Sequence, residues 1–150
     1  MNTILFENIR IIDPANGIDQ PGRLLVREGK IAGTDTAGAE GRPEGAQVID
    51  GNGAVLSPGL VDMRVEIGEP GFEYRETIAS AARAASAGGI TTIAVLPTSK
   101  PAIDNPALVR MLRTRGEESG AITILPYGAL TKGCEGRELA EIGMLHEAGA

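Results

Sequence analysis

Asp62, Arg64 and Glu66 are the residues whose types and spacing point most directly to chemistry. They stand two apart in Leu60-Val61-Asp62-Met63-Arg64-Val65-Glu66-Ile67, and alternate residues of an extended strand project to one side. Three ionisable groups therefore share one face, and Val61, Met63, Val65 and Ile67 fill the apolar one. That layout suits a strand that delivers ligands to a metal. A metal needs lone-pair donors, however, and a guanidinium has none and stays protonated. Arg64 cannot be a ligand, and the plain reading of the trio is a structural ion-pair cluster.

The elements that must hold these residues follow from patterning. Residues 1–56 carry short β-prone runs, Ile4-Leu5-Phe6, Ile9 to Ile12, Leu24-Leu25-Val26 and Lys30-Ile31-Ala32, separated by turns at Asp13 to Gly17 and at Glu28-Gly29. Thr34 to Gly45, almost empty of large apolar residues, reads as an exposed loop. Gln47 to Asp50 and Ala54 to Leu56 return to strand before Pro58-Gly59. Beyond it the pattern alternates strand and helix, which favours a parallel sheet with crossover helices. Strands are expected at about 60–66, 90–96 and 121–127. Helices are expected at 73–87, with Ile78, Ala81, Ala82 and Ala85 as its buried stripe and Gly88-Gly89 as its stop, at 106–118 behind the Asn105 cap, and at 138–148.

Four stretches, in order, resemble the amino-terminal third of the dihydroorotase family: Ser57 to Met63, Glu69 to Thr77, Ala87 to Thr92, and Ile103-Asp104-Asn105-Pro106. The resemblance implies an α/β fold, the amino-terminal part of a metal-dependent-hydrolase-like TIM barrel preceded by a small β-sheet domain that belongs to a composite β-sandwich. Residues 1–56 would be the β domain and 57–150 the first three strand-helix units. Closure takes about eight such units, so the chain reads as truncated, with an open edge and partly uncovered helices that favour self-association. A homo-oligomer is compatible with that reading.

Active members of the family carry His-x-His and then Leu-Arg-Glu-Pro-Gly after this strand. Here Arg64 and Glu66 occupy the histidine places and Gly68 that of the arginine that grips the substrate carboxylate. The family's Met-Pro-Asn-Thr, whose asparagine contacts substrate, reads Leu96-Pro97-Thr98-Ser99, which puts Thr98 at that position. Losses confined to chemical positions amid intact scaffold motifs imply a retired active site, with no catalytic residue, no metal ligand and no cofactor. Arg64 would then stand where the metal would, flanked by Asp62 and Glu66.

Composition excludes other classes. Net charge is -6, from 14 basic against 20 acidic residues, with no basic run, two Phe, two Tyr and no Trp, so neither a phosphate-tracking groove nor a base-stacking platform can be built. No apolar run reaches the roughly 20 residues of a membrane span, and no signal pattern opens the chain. A cytoplasmic location is expected. The single cysteine, Cys134, fits a reducing compartment and reads as a bystander. His146, near a helix end, reads as a favourable partner of the helix dipole, and Lys132 and Lys100 as solvated side chains. The Glu69 to Glu73 loop reads as scaffold.

What the resemblance implies for function is a non-catalytic dihydroorotase homologue of pyrimidine (UMP) biosynthesis, a structural or regulatory partner of aspartate carbamoyltransferase. Two other readings stand beside it. One is an active cyclic-amide hydrolase acting on N-carbamoyl-aspartate or dihydroorotate, whose altered site takes zinc on ligands from later strands. The other is a sensor that holds a carboxylate on Arg64.

Overall fold

A computed structural model describes residues 3–35 and 41–150. The chain divides into two compact units, Met1–Pro58 and Gly59–Ala150. The first is a sheet of β1 (Thr3–Asp13), β2 (Ile18–Arg27), β3 (Lys30–Asp35), β4 (Gln47–Asp50) and β5 (Val55–Leu56). β1 pairs antiparallel with β2 and parallel with β4 and β5, and β2 carries β3 on its far side. The two runs expected on either side of Glu7-Asn8 form one strand, because the register shifts between Phe6 and Ile9 with Asn8 at φ 52°. Such a bulge absorbs the extra residue without ending the strand. Ile9, Ile11 and Leu24 form the small core. Of the loop expected at Thr34 to Gly45, Thr34 and Asp35 belong to β3 and residues 36–40 lie outside the described residues.

The Glu7 carboxylate joins this sheet to the returning chain. It accepts from Arg23 at 2.8 Å and from both Nε and Nη2 of Arg42, at 3.1 and 2.8 Å. A fork of two nitrogens on one carboxylate fixes orientation as well as distance.

The second unit holds β6 (Leu60–Val65), α1 (Ile78–Ala87), β7 (Ile90–Val95), α2 (Pro106–Ser119), β8 (Thr123–Pro126), a short 3-10 turn at Lys132–Cys134 and α3 (Ile142–Glu147). Its sheet is parallel, in the order β6-β7-β8, with Val65 opposite Val95 and Val95 opposite Pro126. This is the expected α/β order of strand and crossover helix. α1 packs on β7 and α2 on β8. Their stripes, Ile78, Ala82 and Ala85 on one helix and Val109 and Leu112 on the other, close over Ile93, Val95, Ile122 and Ile124 to make the main core. Gly116 is what lets α2 lie so near β8, since a Cβ there would stand 2.8 Å from Ile124 Cγ1.

Three elements differ from expectation in their bounds. α1 begins at Ile78 rather than residue 73, because Thr77 caps it: the Thr77 hydroxyl accepts from Ser80 N at 3.1 Å, and the Ser80 hydroxyl accepts from Thr77 N at 3.0 Å. That reciprocal pair satisfies two end groups and fixes the start. α3 begins at Ile142 rather than 138, because residues 138–140 are held in a hairpin, with Lys132 N donating to Glu138 O and Ala140 N to Leu130 O. β8 is shorter than expected at both ends. α2 begins as read, with the Asn105 side chain accepting from Ala107 N and Leu108 N and Pro106 in the first turn. No helix among the described residues is long and apolar enough to cross a membrane.

Two measurements check this packing. Gly116→Ala is expected to destabilise the unit by about 1–3 kcal/mol through overpacking. Gly143→Ala, in α3 with open space around it, should instead stabilise by about 0.4–1 kcal/mol. Urea unfolding of both variants reads the sign. In the first unit, Arg42 above all, with Arg23, holds the Glu7 carboxyl below its ordinary 4.5. A depressed carboxyl contributes stability above its unfolded value and loses it as pH falls through the folded one. Stability of the sheet should therefore drop below pH 4.5 more steeply in the parent than in Glu7→Gln, as followed by thermal melts across that range.

Candidate functional site

The sheet brings the sequence-selected residues to the carboxyl ends of its strands, where barrels carry their chemistry. Arg64 is the penultimate residue of β6 and Glu66 follows its end. Pro97 and Thr98 follow β7, and Tyr127 follows β8. Val65 and Ile67 pack into the helix-side core, so alternation turns Asp62, Arg64 and Glu66 to the other face. The apolar face is only half realised: Val61 and Met63 are 57% and 68% exposed, because neither α1 nor α2 packs on β6.

The expected ion-pair cluster does not form. Arg64 pairs with neither Asp62 nor Glu66, and all three are exposed. The Asp62 carboxylate accepts instead from the Arg64 backbone N–H at 3.0 Å. That local bond, two residues along the chain, fixes Asp62 without ordering a long guanidinium, whereas an exposed pair gains little against the entropy of holding it.

Tyr127 supplies a link that spacing gives no hint of. Its backbone N–H donates to Val95 O at 2.9 Å, continuing the ladder, while its phenol donates to Met63 O at 3.2 Å. One side chain thus spans from the end of β8 over β7 to β6. Ala94, small and 8% exposed, lies on that face of β7.

The Glu69 to Glu76 segment is tied down at almost every residue, as its scaffold reading requires. Glu69 Oε2 accepts from Ile78 N at 3.0 Å at the start of α1, which offers unpaired N–H groups and a positive dipole end. Phe72 N donates to Gly68 O at 2.6 Å and Lys100 N to Pro70 O at 3.0 Å. Glu73 accepts from Gly71 N at 2.8 Å, and this bond holds its carboxyl below the ordinary range. The Arg75 guanidinium lies 4.9 Å from the Phe72 ring centre, itself edge-on to Tyr74. Gly68, the supposed place of a lost arginine, is buried inside this loop.

The remaining candidates sit as follows. Lys132 is exposed, as expected, and pairs with Glu138, which raises its pKa. Lys100 is exposed. Cys134 is exposed, with Sγ 3.7 Å from Pro97 O over the end of β7. Its loop is anchored by Asp104 Oδ2, which accepts from Gly133 N at 2.8 Å, giving the Ile103-Asp104-Asn105-Pro106 motif a second task besides capping α2. His146 is exposed in the last turn of α3.

A divalent metal at positions 64 and 66 does not fit the residues there. The guanidinium offers no lone pair, and the Glu66 carboxylate alone leaves most of a tetrahedral shell unmet. The exposed face offers the Arg64 cation and the carboxylates of Asp62 and Glu66.

Comparison with known proteins bears on the whole chain. The family described as Dihydro-orotase-like matches residues 53–150. A dihydroorotase of Pelobacter propionicus is 46% identical over 146 residues, covering 97% of this chain and 34% of its own length. One of Anaeromyxobacter dehalogenans is 41% identical over 150 residues, 99% of this chain and again 34% of its own. The chain thus spans about a third of the curated relatives it matches. Among solved structures, an L-hydantoinase (dihydropyrimidinase) from Arthrobacter aurescens superposes with a TM-score of 0.80 at 24% identity, over 100% of this chain and 32% of that one. A D-hydantoinase (dihydropyrimidinase) from a Thermus species gives 0.66 at 24%, over 96% and 30%. At that identity the likeness speaks for the fold alone, the amino-terminal part of a TIM barrel.

Tyr127→Phe keeps the ring and removes only the bond to Met63. Because the phenol is partly exposed, the expected loss is near the lower end of about 0.5–1.5 kcal/mol, read by urea unfolding, with faster amide exchange confined to β6.

Proposed function

The chain belongs to the dihydroorotase-like family, and on that premise we propose that it is a non-catalytic member, acting in pyrimidine biosynthesis as a structural or regulatory partner of aspartate carbamoyltransferase. The observation that carries this reading is the pair Arg64 and Glu66 at the end of β6, where the family's resemblance calls for imidazoles. A hydroxide usable near neutral pH needs a metal to lower the pKa of water, and a metal needs donors that this strand lacks. The surrounding scaffold supports retention of shape: the Glu69 loop caps α1, and Asp104 and Asn105 hold the β7–α2 connection. Selection that keeps such bonds while giving up ligands fits a role in assembly.

The test has two arms. The purified protein should carry no stoichiometric zinc and show no conversion of dihydroorotate, and it should co-sediment with aspartate carbamoyltransferase of the same organism. Stoichiometric zinc with turnover overturns the non-catalytic reading, and separate sedimentation overturns the partnership. Arg64→His together with Glu66→His should raise zinc content in metal analysis; unchanged content counts against the view that these two positions are what the site has lost.

A further inference from the structure

We infer that Asn16 is a modification site, where the Gly17 amide closes on the Asn16 side chain and turns it into aspartate or isoaspartate, and that Asn52, the other asparagine followed by glycine, is shielded from the same reaction by the fold. The chemistry needs only water. Gly17 N attacks Asn16 Cγ, the Cγ–Nδ2 bond breaks, and the Gly17 amide proton leaves with that nitrogen as ammonia. Water then opens the cyclic imide. Addition at Cγ gives aspartate, and addition at the main-chain carbonyl gives isoaspartate, with Gly17 now joined through the side chain. A following glycine favours closure, because it has no side chain to crowd the attacking nitrogen.

Both pairs lie in exposed turns of the first unit, so exposure does not separate them. The hold on the attacking nitrogen does. Gly53 N donates to Asn8 O at 2.7 Å, and the residues around it are bound to β1 as well, with Gly51 N donating to Glu7 O at 2.8 Å and Arg10 N to Ala54 O at 2.9 Å. Gly51 also lies so close to β1 that a Cβ on it would stand 2.3 Å from Ile9 Cγ2. The Asn52 amide is engaged too, donating to Asp50 Oδ1 at 2.8 Å. Swinging Gly53 N onto Asn52 Cγ therefore means lifting this segment off β1. Gly17 N, by contrast, reaches Pro14 O at 3.4 Å, beyond the usual range of an N–H···O bond, and Asn16 N reaches Asp13 O at 3.3 Å. Those partners belong to the turn itself, so the ring can close with the β1–β2 ladder intact up to its end pair, Asp13 with Ile18. The firmest restraint on Asn16 is its side chain, whose Nδ2 donates to Asp13 Oδ2 at 2.6 Å. That bond is exposed, and water replaces it at small cost.

The product unsettles the turn. Asp13 loses a donor and gains a carboxylate at the far end of a 2.6 Å contact, and like charges so placed repel. Along the isoaspartate branch the main chain runs through the Cβ of residue 16, which adds a backbone atom to the turn whose length sets the β1–β2 register. None of this depends on whether the chain is catalytic.

The test is peptide mapping by mass spectrometry of the purified protein aged in warm, mildly alkaline buffer, once native and once in urea. In the native protein Asn16 should convert at least about tenfold faster than Asn52, because opening a loose turn takes less than opening a paired segment. In urea, with both turns unfolded, the two rates should come within about threefold of each other. A smaller native ratio overturns the inference, and so does an intact Asn16 in native protein while the urea sample converts. A native ratio that persists in urea overturns it as well, since the selectivity would then belong to the sequence and not to the fold. The converted fraction, separated on anion exchange by its added negative charge, should melt at a lower temperature than the parent. An unchanged melting temperature overturns the claim that the turn is unsettled.

Discussion

The sealing of one face of β7 is the constraint on which the second unit depends. Ile93 and Val95, almost wholly buried, lie in the core that α1 and α2 close, with α1 packed on β7 itself, and a strand whose alternate residues are so fixed has no freedom of register. A slip of one residue would turn both outward. With β7 locked, parallel pairing locks β6 and β8, and the positions of Arg64, Thr98 and Tyr127 at the strand ends follow. The chemistry of the face away from the helices is therefore decided by packing on the other side.

Much of this was legible in the chain itself, and the exceptions share a physical cause. The strand-helix order, the Asn105-Pro106 start and the Ile78, Ala81, Ala82, Ala85 stripe are local patterns, and local patterns survive in sequence. The start of α1 was not, because Glu73 and Glu76 suit a helix by composition and are drawn into the loop by Gly71 N and Ser80 instead. Nor was the hairpin at 130–140, whose bonds join residues far enough apart that no periodicity marks them. At the candidate site, the spacing of Asp62, Arg64 and Glu66 gave their common face correctly. It overstated their attraction, since side chains in water prefer a nearby N–H to a distant guanidinium. The burial of Gly68 was invisible for a simpler reason: a glycine's neighbours are known only once the chain is folded.

The two units solve the problem of holding a returning chain differently. In the first, charge does it, with Glu7 gripped by Arg23 and by Arg42 from beyond the end of β3. In the second, side chains that accept from backbone N–H groups do it, Glu69, Thr77, Asp104 and Asn105 among them, together with glycines that admit close approach. Charge-based fastening responds to pH and salt. The close backbone approach at Gly116 and Gly71 is sensitive instead to a single added methyl group.

The reach of Tyr127 to Met63 has an evolutionary corollary. The phenol reaches across β7 to Met63 O, and Ala94, the small buried residue between Ile93 and Val95, lies on the face it crosses. A bulky residue at 94 would lift the ring off its acceptor, and a short residue at 127 would leave Ala94 uncovered. The two sites therefore form a single unit of inheritance, and in descendants of this chain a change at one should be accompanied by a change at the other.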